Sequence, residues 1–98
     1  MIPFSDRAIK QITALVDYYE AQSRPDAFRN FLLALREASA MIERDPAAGL
    51  PAPRPYPQIA RPGLAWVKAG RYWVAYRSRP RLVIVAVFYE SANIPRRL

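Results

Sequence analysis

The sequence predicts an α+β fold in which an N-terminal antiparallel helix hairpin packs on a small antiparallel sheet of three to four strands. Three observations carry this. Apolar residues recur at helical spacing through positions 6–45, a proline-rich connector follows over 46–63, and positions 64–89 hold three short β-branched and aromatic runs separated by tight turns. Residues 90–98 remain as a tail, and 98 residues are one domain's worth of chain.

The first helix is expected from about Asp6 to Gln22. Ser5 suits its N-cap, because a hydroxyl can accept from a free amide of the first turn. Ala8, Ile12, Leu15, Val16 and Tyr19 form its apolar stripe. Pro25 opens the second helix at a position where its missing N–H costs nothing, and Asp26 suits the helix dipole. Phe28, Phe31, Leu32, Leu35, Ala38 and Ile42 make the second stripe. Pro46 disfavours helical geometry in the residue before it, so the helix stops near Asp45. Two helices joined by so few residues pack antiparallel.

The connector carries prolines at 46, 51, 53, 55, 57 and 62 and glycines at 49 and 63. Such a run is a stiff crossing from helices to sheet, although Pro51 to Pro57 could also form a polyproline II ligand for a partner. The strands are expected at Leu64–Lys68, Arg71–Ser78 and Arg81–Tyr89, with turns at Ala69-Gly70 and Arg79-Pro80. Along the second, Tyr72, Val74 and Tyr76 point one way and Trp73, Ala75 and Arg77 the other. The third is apolar on both faces, with Leu82, Ile84, Ala86 and Phe88 opposite Val83, Val85, Val87 and Tyr89. Such a strand wants cover on both sides. The helix hairpin covers one, which leaves the other to the connector, the tail, a second copy or a partner.

The composition excludes much chemistry. There is no Cys and no His, which removes disulfides, thiolate sites, the commonest metal ligand and the commonest general base. Ser5, Ser23, Ser39, Ser78 and Ser91 have no imidazole to activate them, and three scattered glycines make no phosphate loop. No cofactor or metal is expected. No secretory signal or bilayer-length apolar run is visible, so a cytoplasmic protein is expected.

The net charge of +7 is unevenly placed. Residues 1–45 carry six bases against seven acids, whereas residues 46–98 carry nine bases and only Glu90 as an acid. Thirteen of the fifteen bases are Arg, whose planar fork suits phosphate and carboxylate groups. The basic half should therefore steer toward an anionic partner, unless it is merely a solvated face.

The order of parts resembles the ParE/RelE toxins, over roughly residues 4–95. The residues that carry it are Phe4-Ser5-x-x-Ala8, Asp17-Tyr18-Tyr19, the helix start with Pro25, Ala27 and Phe31, and Asp45-Pro46-Ala-Ala-Gly49. Gly70-Arg71-Tyr72-x-Val74-x-Tyr76-Arg77 and Val83-x-Val85-x-Val87-Phe88-Tyr89 are similar to the family's last two strands. Two departures stand out. Only Met1 to Phe4 precedes the first helix, where the family usually has a longer edge strand, and no basic residue follows Tyr89 directly as in the RelE-type endonucleases. The ParE branch fits better.

The resemblance implies a growth-arresting, plasmid-stabilising toxin that inhibits DNA gyrase and is neutralised by a ParD-like antitoxin, reaching operon DNA only through that antitoxin. For contact with the target the sequence offers Arg71, Arg77, Arg81, Arg96 and Arg97, with Trp66, Trp73 and Tyr76 as anchors. For the antitoxin it offers Leu15, Tyr19, Phe28 and Phe31 and an exposed sheet edge. The alternative is a ribosome-dependent, metal-independent mRNA endonuclease with Tyr89 or Glu90 as base and Arg71, Arg77 or Arg81 as phosphate clamps. A third reading is a non-toxic member that only binds its antitoxin.

Overall fold

Ser5 opens the first helix as its side chain dictates. Its Oγ accepts from Ala8 N at 3.1 Å, and α1 runs Asp6–Ala21 in a computed structural model that describes residues 2–98. Met1 lies outside the described residues. The helix closes by left-handed backbone at Ser23 (φ 52°), which lets Arg24 N donate to Tyr19 O. Helix α2, Pro25–Arg44, begins at its proline and ends before Pro46. Its buried positions are Phe31, Ala34, Leu35, Ala38, Ser39 and Ile42. Leu32, expected in the stripe, is instead 41% exposed.

The sheet is an antiparallel meander, β1 (Ala65–Ala69), β2 (Tyr72–Arg77) and β3 (Val83–Tyr89), in the order β1-β2-β3. Gly70 at φ 56° turns β1 into β2 through Gly70-Arg71, one residue later than expected. The β2–β3 loop, Ser78–Leu82, is longer than a two-residue turn and contains a cis Arg79–Pro80 bond. Ahead of α1 the chain makes one parallel bridge, Phe4 with Ile84, with Ser5 N donating to Ile84 O and Ile84 N to Pro3 O.

Strict alternation fails on β3. Ala75 pairs with Ala86 but Tyr76 pairs with Ile84, so a bulge inserts Val85. Leu82, Ile84, Val87 and Tyr89 then face the helices, while Val85, Ala86 and Phe88 face away. The expected grouping of Leu82 and Ile84 with Ala86 and Phe88 is corrected by that single extra residue, since each one-residue shift sends a side chain to the opposite face.

Two cores result. Tyr19, Phe31, Leu35, Ala38 and Ile42 pack on Tyr72, Val74, Tyr76, Ile84 and Val87. On the far face, Leu64, Trp66, Trp73, Ala75, Ala86, Phe88 and Ile94 form a second cluster under Leu50, Tyr56 and Ile59 of the connector. Trp66 stacks on Phe88 with centroids 6.2 Å apart. The tail supplies a short helix α3, Ile94–Arg97, whose Ile94 is fully buried. Pro53 is also fully buried, so the connector is a clamp on the sheet and not a free polyproline ligand. The chain thus covers its own second face. No foreign peptide is needed there, because eighteen residues stiffened by proline reach across the sheet with little entropy left to lose. The spare apolar surface lies elsewhere: Ile9, Tyr18, Leu32 and Leu33, all on the helices.

Candidate functional site

The connected end of the helix hairpin, around residues 22–24, stands over the β1–β2 turn and leaves a groove of about 820 Å³. Leu15, Tyr18 and Tyr19 of α1, Leu33 and Ala34 of α2, and Tyr72 and Tyr89 of the sheet form its apolar lining. Arg24, Asp26, Glu37 and Arg71 supply charge around it. Tyr18 is 57% and Leu33 54% exposed, so both present apolar surface to whatever enters. A second cleft of about 370 Å³ continues from it between α1 and β3, sharing Leu15, Tyr18 and Tyr89 and adding Lys10, Gln11 and Arg97. Gln11 reaches the strand edge there and accepts from Val87 N at 2.8 Å.

The groove floor is a set of interlocked aromatic rings. The hydroxyls of Tyr19 and Tyr72 share a hydrogen bond, and Phe31 tilts against Tyr72 at 4.8 Å between centroids. Tyr89 meets Tyr72 edge-on at 5.4 Å. Burial pushes the Tyr72 phenol well above its ordinary pKa, with the Tyr19 hydrogen bond adding to it. Its hydroxyl is held within the buried pair it makes with Tyr19. At the rim, Glu90 is held between Lys68 Nζ at 3.0 Å and Arg71 Nη1 at 3.6 Å. Hydrogen bonding with Tyr89, then the charges of Tyr89 and Glu90, raise the Arg71 pKa further.

The predicted site residues fall into distinct places. Trp66, Trp73 and Tyr76 are buried and present no surface to a target. Trp73 has Arg54 and Lys68 over its ring at 5.2 and 5.8 Å, while the Tyr76 hydroxyl donates to Pro46 O at 2.7 Å. Burial raises the Tyr76 pKa, helped by Asp45. Tyr19 and Phe31 are likewise core, and only Tyr19 lines the groove; Phe28 and Leu15 are half-buried. Arg71 stands at the groove, whereas Arg77 and Arg81 lie at the opposite end of the sheet and Arg96 and Arg97 are exposed on α3. Of the alternative catalytic set, Tyr89 and Glu90 stand together with Arg71, whose Nη1 lies 3.6 Å from Glu90, while Arg77 and Arg81 are remote. Tyr89 and Glu90 sit beside Tyr72 and Arg71, a strand's length from Arg77 and Arg81, about 20 Å by the rise of six residues.

Sequence reasoning missed Tyr18 and Leu33. Each is adjacent to a core position, and one chain cannot show which apolar residue turns outward. Among the described residues there is no cluster of three or more potential metal ligands, and no helix is long and apolar enough to cross a membrane.

These features accord with the comparison to known families. The model for the ParE toxin of the type II toxin–antitoxin system, parDE, matches residues 2–94. This chain belongs to the ParE toxin family. It is thus a type II toxin, and membership implies an antitoxin partner. No curated protein matches the chain.

Proposed function

We propose that this ParE-family chain inhibits DNA gyrase in the cytoplasm and is neutralised by a ParD-like antitoxin whose C-terminal segment lies in the groove over the β1–β2 turn. The observation that carries the antitoxin half is the groove itself. It combines an interlocked aromatic floor with exposed Tyr18 and Leu33, the arrangement into which an amphipathic helix lays its apolar face. Charges of both signs, Arg24 and Arg71 against Asp26 and Glu37, can fix its register.

The gyrase half is supported by membership of the ParE family. The test is supercoiling by purified gyrase with antitoxin-free protein. Loss of supercoiling with accumulation of cleaved plasmid, reversed by antitoxin, is expected. Full supercoiling at stoichiometric excess refutes the gyrase reading, and unaltered toxicity on co-expression with the antitoxin refutes the groove reading.

A further inference from the structure

The groove leaves one conspicuous surface unused. At the opposite end of the sheet, Arg77 ends β2 and Arg79 and Arg81 stand in the β2–β3 loop, all exposed. Arg77 Nη1 donates to Gly63 O at 3.3 Å, which draws the connector turn holding Arg61 to the same end. Two carboxylates flank the region, Asp6 in the first turn of α1 and Asp45 after α2. Neither forms an ion pair with these four guanidinium groups among the described residues.

We infer that Arg61, Arg77, Arg79 and Arg81 form a docking surface for the phosphate backbone of duplex DNA, contacted by the toxin directly. Two arguments favour nucleic acid over an acidic protein. First, all four cations are arginine, whose fork pairs two donors with a phosphate. Secondly, a protein interface needs a desolvated apolar centre, and this end has none. Its large side chains, Trp66 and Tyr76, are buried, and the exposed Ile9, Tyr18, Leu32 and Leu33 are all helical. Protein–DNA interfaces are by contrast polar and strongly basic. The proposed contacts are to phosphates, which carry no sequence information, so the binding is sequence-independent.

The test uses the purified full chain and a short fluorescent duplex, read by anisotropy without gyrase, so that its outcome is separate from the gyrase reading. Four phosphate contacts predict about a 100-fold loss of affinity between about 50 and 200 mM salt. The variant R61Q/R79Q/R81Q should lower that salt slope by about three and abolish binding at the upper concentration. R29Q/R36Q/R44Q on α2, of equal net charge, should leave both unchanged. If a triple variant does not fold, the single variants R79Q and R81Q should each lower the slope by about one. No binding by the unaltered chain at about 50 mM salt overturns the inference. So does equal loss in the two triple variants, which reports net charge alone. Tighter binding to polyglutamate than to the duplex also overturns it, in favour of an acidic protein partner.

Discussion

The two ends of the sheet treat the same residue type in opposite ways. Beside the groove, Arg71 lies against Tyr89 and Glu90, and Glu90 is shared with Lys68. At the hairpin end, Arg77 finds only the carbonyl of Gly63 and none of the three loop arginines meets a carboxylate among the described residues. One end is apolar and internally neutralised, the other charged and uncompensated. Burial of apolar area favours a stable, stoichiometric partner, and unpaired surface charge favours a salt-sensitive, diffuse one. A toxin that must be both held and released toward a target has use for both.

The largest way to break this contrast is to remove the groove floor. Phe31→Ala deletes a fully buried ring between Tyr19 and Tyr72 and should cost about 3–5 kcal/mol, read from the urea or thermal midpoint. A loss under about 1 kcal/mol would mean that the floor is not a core. Leu33→Asp should separate binding from folding. It is expected to weaken antitoxin-peptide binding by about 2 kcal/mol or more in calorimetry, with stability unchanged within about 0.5 kcal/mol and DNA binding intact.

Tyr72→Phe should cost about 1–2 kcal/mol by stranding the Tyr19 hydroxyl. It carries a pH signature as well. Because folding raises the Tyr72 pKa, its contribution is fully present below the ordinary phenol value of about 10 and is lost as pH climbs beyond it. The substitution should therefore flatten the alkaline fall in stability, leaving the share due to Tyr76, which is raised in the same direction. The smallest effect is expected from Glu90→Gln. Stability should move by less than about 1 kcal/mol, since the pair is a third exposed. Freed Arg71 and Lys68 should then make the groove end resemble the hairpin end, with a modest gain in duplex affinity.

The helices were legible because Ser5, Pro25 and Pro46 are local signals whose physics is complete within a few residues. The strands were legible as elements, but the faces of β3 were not. Val85 bulges because β3 must satisfy two cores at once, a tertiary demand that no alternation of apolar residues encodes. Cover for the second face was open for the same reason, as Pro53 and Ile94 look like loop and tail until they are seen packed. For the site, charge asymmetry pointed to the basic strands, yet it could not divide Arg71 from Arg77 and Arg81, which differ only in the turn they adjoin. Aromatic anchors were misplaced because Trp66, Trp73 and Tyr76 have the bulk of interface residues and equally the bulk of core residues.

The bulge at Val85 also has an evolutionary implication. It breaks the register between the hairpin tip and the part of β3 that borders the groove, so insertions or changed residues at the tip need not propagate to Val87 and Tyr89. Tip and groove can then change independently of one another.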